Sequence, residues 1–203
     1  MSNMISGKRK FDNVIVIDDD ECVRSVKKSK NIAYDISSEN VTINYKNGNQ
    51  YKGSLKNNHK DGNGVFKNKN GNVYTGEFKD DKFHGMGVLT YANGSVYIGE
   101  FEEGKIQGKG IATFANGDSY EGGFNNYNKH GFGSYKYKNG NQYVGQYKDN
   151  QMHGHGLYTN NSTGKLYNGE WKEGKKHGSG IYETPTEKFL VKVEDKVVFA
   201  SRM

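Results

Sequence analysis

The chain has 203 residues, 33% of them hydrophobic, with 28 Gly, 1 Pro, 1 Cys and a formal net charge of +6; its mean hydropathy is −0.95. So little apolar material excludes a thick globular core, and no segment approaches the ~20 apolar residues that span a bilayer. Yet 15 Tyr and 10 Phe are too many aromatics for a disordered chain, so a folded but thin protein is expected. Cys22 alone builds no disulfide framework, and the N-terminus lacks a signal-like apolar run. Both point to an intracellular protein, cytoplasmic or nuclear and not secreted.

In chain order, residues 1–40 read as a flexible tail. Lys8-Arg9-Lys10 and Lys27-Lys28-Ser29-Lys30 flank the run Val14, Ile15, Val16, Ile17, Asp18, Asp19, Asp20, Glu21. That run resembles a SUMO-interacting motif, branched residues followed by acids. The resemblance implies a SUMO-like partner whose open sheet edge pairs with the strand while a basic rim meets the acids. The basic clusters resemble nuclear-localisation signals. The bland reading of Val14–Ile17 is a strand capping the edge of a following sheet.

From Tyr51 a pattern recurs with a pitch of 23 residues: Tyr51-x-Gly53-x-Leu55, Tyr74-x-Gly76-x-Phe78, Tyr97-x-Gly99-x-Phe101, Tyr120-x-Gly122-x-Phe124, Tyr143-x-Gly145-x-Tyr147 and, one residue late, Tyr167-x-Gly169-x-Trp171. Each start is followed by Gly-x-Gly, from Gly62-x-Gly64 to Gly178-x-Gly180, and most units close on Asn-Gly, as at Asn93-Gly94. Side chains alternate along a strand, so Tyr, Gly and aromatic share one face. Asn-Gly between alternating runs signals a hairpin with a type I′ turn; the residues near Asp80–Phe83 supply the other turn. The glycines leave room for a ring to lie flat on a strand. Tyr45-Lys46-Asn47-Gly48 reads as the second half of a preceding unit. Over residues 41–182 this is an antiparallel meander of two strands per unit, whose stability comes from stacked neighbours.

These units resemble the MORN repeat (membrane occupation and recognition nexus), with six copies and a leading half. Units three and six keep every glycine, including the middle Gly104 and Gly174, which the other units replace with Asn58, Asp81, Tyr127 or Asn150. The resemblance implies an all-β, single-layer hairpin ribbon for protein association, often homodimeric, with phospholipid binding as a weaker implication. MORN repeats also occur fused to enzymes, but the flanks here leave no room for a catalytic domain.

No catalytic, cofactor or metal site is expected. His84, His130, His153 and His177 each precede Gly-x-Gly, but equivalent residues lie two strands apart, about 9.5–10 Å, too far for one ion. Glu77, Glu100 and Glu170 share a repeat position on the polar face. The array carries the whole charge excess, all of it Lys. Without Arg this argues against nucleic acid and leaves an anionic membrane as an alternative partner. The aromatic rows Tyr74, Phe78, Tyr97, Phe101, Tyr120, Phe124, Tyr143, Tyr147, Tyr167 and Trp171 are first of all the packing of the ribbon and also the candidate partner-binding face, since a single layer has no second layer to hide them; the partner would be a second copy or another protein. After Pro185, residues 183–203 alternate like a capping hairpin. The expected function is a non-enzymatic association scaffold; the alternatives are a peripheral membrane adaptor, or an auxiliary subunit that positions an enzyme in trans.

Overall fold

The computed structural model describes residues 14–17, 38–194 and 197–203. They form one sheet of sixteen strands in strict sequence order, with no helix. β1 (Val14–Ile17) lies parallel on β2 (Ser38–Tyr45), as an edge strand; the rest of the N-terminal segment, including Asp18, Asp19, Asp20 and both basic clusters, lies outside the described residues. Every later pairing is antiparallel. The repeats supply β3 (Gln50–Lys56) and β4 (His59–Lys67), β5 (Val73–Lys79) and β6 (Lys82–Thr90), and β7 (Val96–Glu102) and β8 (Lys105–Thr113). They continue as β9 (Ser119–Asn125) and β10 (Asn128–Lys136), β11 (Gln142–Lys148) and β12 (Gln151–Asn160), and β13 (Lys165–Lys172) and β14 (Lys175–Glu183). The C-terminal pair is β15 (Lys188–Glu194) and β16 (Val197–Arg202).

Each repeat is built around one tyrosine laid across two glycines. Gly99 and Gly110 face each other across β7 and β8, and the Tyr97 ring covers both: a Cβ on Gly110 would sit 2.5 Å from the ring, and one on Gly99 would sit 2.5 Å from the hydroxyl. The hydroxyl then donates to the Glu100 carbonyl at 3.1 Å. Tyr51, Tyr74, Tyr120, Tyr143 and Tyr167 make the same bond three residues on. A bulge in each hairpin, such as the register shift after Gly76, opens a backbone amide. In three repeats a carboxylate fills it: Glu77 accepts from Met86 N–H, Glu100 from Lys109 N–H and Glu170 from Ser179 N–H; Gln146 does the same for His155.

The Asn-Gly turns are not the type I′ turns expected from the sequence. In the Asn-Gly turns the Gly alone has positive φ, as at Gly94 (87°), while the Asn93 side chain accepts the Ser95 N–H at 2.9 Å. That is a type I turn closed by a left-handed glycine, with Tyr91 N–H bonded to the Ser95 carbonyl. The two-residue turns with positive φ at both positions lie inside the repeats, at Asn57-Asn58, Asp80-Asp81, Glu103-Gly104, Asn126-Tyr127, Asp149-Asn150 and Glu173-Gly174. The degenerate middle glycine is therefore the second residue of a type I′ turn. It tolerates substitution because the amide there is clipped to the preceding repeat, as in Asp81 N–H to Lys60 O and Tyr127 N–H to Ile106 O.

The other rim is stitched by side chains two residues before the first five repeat tyrosines. Asn49, Asn72, Asp118 and Asn141 accept the backbone N–H of Lys69, Ala92, Lys138 and Asn161 in the next turn, and the Ser95 hydroxyl accepts that of Ala115. Successive repeats are thus joined through the sheet and along both rims.

Two outcomes test this construction. Gly110→Ala drives a Cβ into the Tyr97 ring and should cost about 2–4 kcal/mol in denaturant unfolding; Gly94→Asn, at a site with nothing within 4 Å of a Cβ, should stay within about 1 kcal/mol. Equal losses would remove the ring-on-glycine account. Burial also pushes the Tyr74, Tyr120 and Tyr143 hydroxyls from 10.0 to about 12. The folded state holds these protons more tightly than the unfolded state, so their stabilisation is complete below pH 10 and is lost as pH rises through 12. The melting temperature should fall across that window together with the rise of tyrosinate absorbance; tyrosinate appearing near pH 10 with the fold intact would contradict it.

Candidate interaction surfaces

The sequence places ten aromatics on a face open to a partner. The structure corrects this: Tyr74, Phe78, Tyr97, Phe101, Tyr120, Phe124, Tyr143, Tyr147, Tyr167 and Trp171 are only 0–8% exposed and form the core. The reason is reciprocal covering. Tyr74 meets Phe78 of its own repeat edge-on at 5.2 Å and Phe101 of the next at 4.9 Å; Tyr97 meets Phe101 and Phe124 at 5.2 and 5.1 Å. The series runs on to Tyr143, Trp171 and Tyr167. The bulges add twist and bend the strands, so one layer wraps its own rings and needs no second.

Three lysines rise from this face at equivalent positions. Lys60 Nζ lies over Phe66 at 5.2 Å and 3.8 Å from Asp81 Oδ1. Lys129 Nζ lies over Tyr135 at 4.3 Å, where burial lowers its pKa and the Asp118 carboxylate opposes that shift. Asp118 is itself buried, held below the usual carboxylate range by the Tyr135 hydroxyl at 2.6 Å and the Lys138 amide at 2.8 Å. Lys176 Nζ lies over Tyr167 at 4.7 Å and Tyr182 at 5.3 Å, with its pKa pushed down by burial alone. Lys60 and Lys129 were not singled out from sequence, and Lys176 was read with Lys172 and Lys175 as a cluster on the polar face, whereas it lies over the rings; lysine recurring nine residues after the repeat tyrosine was the available signal.

The opposite face carries an aliphatic ladder. Val65, Thr75, Val88, Ile98 and Ile111 are consecutive cross-strand partners on β4–β8, and Val65, Ile98 and Ile111 are 38%, 48% and 45% exposed. The adjacent outward row is Val73, Thr90, Val96 and Thr113. Glu121 and Ser134 interrupt the ladder, and Val144 with Leu157 resumes it.

The histidine row stays a row. His84 and His177 stand opposite Glu77 and Glu170 and His153 opposite Gln146, while His130 Nδ1 lies 3.7 Å from Asp149. Among the described residues no group of three ligand-type side chains could hold a metal ion, and no helix is long and apolar enough to cross a membrane. The carboxylates of Glu77, Glu100 and Glu170 are engaged on backbone amides.

No curated protein matches the chain. Among solved structures it is similar to the TCP domain of Drosophila melanogaster SAS-4 (dCPAP), determined with a proline-rich motif of Ana2 (dSTIL), at 16% identity and a TM-score of 0.46, covering 81% of this chain and 93% of that one. A mutant TCP10 domain of Danio rerio CPAP follows at 10% identity and a TM-score of 0.27, covering 81% and 90%. Neither likeness is close enough for the partner of the first to be read onto this chain. The MORN-repeat family model, by contrast, matches six times, at residues 51–73, 74–96, 97–119, 120–142, 143–163 and 167–187. Those bounds coincide with the hairpins built on the repeat tyrosines, and the chain belongs to the MORN-repeat family.

Proposed function

We propose that this chain is a non-enzymatic protein-association module whose contact surface is the outer face of β4–β8. One observation carries the reading: the two outward positions nearest the Asn-Gly turns on each of β5–β8 are Val, Ile or Thr, in direct cross-strand register. A solubility surface would alternate charges there. β-branched side chains are stiff at χ1 and lose little freedom on contact, and a flat apolar sheet face is matched by another such face in sandwich packing. An uncharged double row is complementary to itself, so a second copy, related by a two-fold axis, is the partner it fits. The double substitution Ile98→Lys and Ile111→Lys should turn a dimer into a monomer in sedimentation equilibrium while leaving the melting temperature within a few degrees. A wild-type monomer would redirect the face to a different protein; a variant that still associates would sink the reading.

The array's lysine excess favours a second reading, a peripheral adaptor for anionic membranes. Lys52, Lys56, Lys67, Lys69 and Lys79 are all exposed and would act as diffuse charge. Co-sedimentation with phosphatidylserine vesicles should then persist at physiological salt; binding confined to low salt would remove it. SUMO-like recognition of Val14–Ile17 stays a proposal of the same kind, and with β1 on β2 it would use the free edge of β1. An auxiliary role beside an enzyme would use the same aliphatic face.

A further inference from the structure

Four repeats plug the middle amide of their Gly-x-Gly from within. Glu77, Glu100, Gln146 and Glu170 accept the N–H of Met86, Lys109, His155 and Ser179 at 2.9–3.0 Å. Each plug lies against the glycine just before that amide. A Cβ on Gly85, Gly108, Gly154 or Gly178 would come within 2.6 Å of the carboxyl or carboxamide. In the first repeat the shorter Ser54 stands there, its Cβ 3.4 Å from a Cβ on Gly62.

The fourth repeat departs from its siblings. Its plugging position is Gly123, and a Cβ on Gly131 would meet nothing within 4 Å. A Cβ on Gly123 would meet the His130 carbonyl oxygen at 2.3 Å. The backbone has therefore closed over the root of the plug, while the place of its polar end stays open to the outside. The amide concerned is that of Phe132, which the β9–β10 register passes over between Lys129 and Gly133. In the siblings this N–H points across the bulge to the plug; here it points to a residue without a side chain. Gln146, opposite Phe132 on β11, has its own carboxamide oxygen on His155 N–H. The Phe132 ring beside the notch is 66% exposed, more than any other aromatic ring among the described residues.

We infer that the outer face of the fourth repeat binds a segment of a partner protein that inserts a Glu or Gln side chain against Phe132 N–H and lays an apolar neighbour on the Phe132 ring. The sibling repeats define the occupant, since three meet this amide with a carboxylate and one with a carboxamide. One hydrogen bond raises affinity only about ten- to a hundredfold, too little to hold a free acid against the cost of immobilising it. The acceptor must come on a chain that also covers the ring, and aromatic side chains are favoured anchors in such contacts. The inference rests on the chain being an association module. It uses β9 and β10, where Glu121 and Ser134 interrupt the aliphatic ladder, so each reading can fail alone.

The test is nuclear magnetic resonance on the full isotope-labelled chain. Phe132 N–H should exchange with solvent at least about tenfold faster than the plugged amides of Met86, Lys109, His155 and Ser179; equal protection overturns the proposal. Millimolar acetyl-Leu-Glu-Leu-amide or its Gln twin should shift the Phe132 amide resonance and slow its exchange, whereas the Met twin, which offers no such acceptor, should not. The Ile98→Lys, Ile111→Lys chain should respond in the same way, which separates the notch from the ladder. Glu100→Ala should expose Lys109 N–H as a second responding amide, and Phe132→Ala should weaken the Glu peptide about tenfold. A Met twin as effective as the Glu peptide, or an open Phe132 amide that answers neither acceptor peptide, overturns the proposal. Propionate acting as strongly as the Glu peptide also overturns it, in favour of a small acid.

Discussion

A single-layer sheet needs something to cover its backbone, and here a tyrosine ring lying across a pair of facing glycines does so. The pair must be glycine because a Cβ at either position would meet the ring or the opposite strand at about 2.5 Å, as at Gly99 and Gly110. The ring must be tyrosine because its hydroxyl ends above a carbonyl three residues on and bonds it. Phenylalanine would leave the packing and lose the bond, worth about 1 kcal/mol. Repeating this arrangement every two strands places a ring edge against the next repeat's aromatic, so the same contact serves as local cover and as interface between repeats. The 23-residue pitch follows from the need to return each tyrosine to that place.

Once the rings are consumed in this way, the molecule's other features fall into place. Polar side chains are freed from building a core and serve the rims, where Asn72 and Asp118 tie one turn to the next. Glu77 and Glu100 plug the bulges on the outer face, which removes them as reactive carboxylates. Apolar residues that no longer fit inside appear outside, in the ladder on β4–β8. In an ordinary two-layer domain an exposed isoleucine is unremarkable. In a one-layer sheet whose ring side is already closed, a register of them is a second apolar face without a cover.

Much of this was legible in the sequence. The period of 23, the sharing of a face by Tyr, Gly and aromatic, and the role of glycine under a ring all depend on local alternation, which a sequence displays directly. Two things were not legible, for different physical reasons. The Asn-Gly turn type was missed because Asn-Gly satisfies both a type I′ turn and a type I turn with a left-handed glycine; choosing between them needs the register, as between Lys79 and Lys82. The aromatic face was read as open to a partner because its cover is the ring of the next repeat, a contact between residues 27 apart such as Tyr74 and Phe101 that local alternation does not display. The outer ladder could have been found: Val65, Val88, Ile98 and Ile111 lie in recurring positions, but their alignment across strands requires knowing both turn lengths.

The ends of the array are where repetition stops supplying partners, and the two ends meet that in different ways. At the N-terminal end, β1 joins in parallel, the one parallel pairing among the described strands, and covers β2 without extending the ring stack by a repeat. At the C-terminal end Pro185 interrupts the chain, and β15 and β16 replace tyrosine and glycine with Phe189, Val191 and Val193. These side chains continue the apolar face but bring no ring across a glycine pair, so the surface behind them stays hollow. A repeat protein concentrates its chemical individuality at such terminations. Lys60 and Lys129 are each met by a carboxylate, whereas Lys176 has its ring contacts and, among the described residues, no acid. The feature that marks Lys176 is therefore a product of the repeat itself, visible because two earlier copies, at Lys60 and Lys129, set out what a lysine at that position meets.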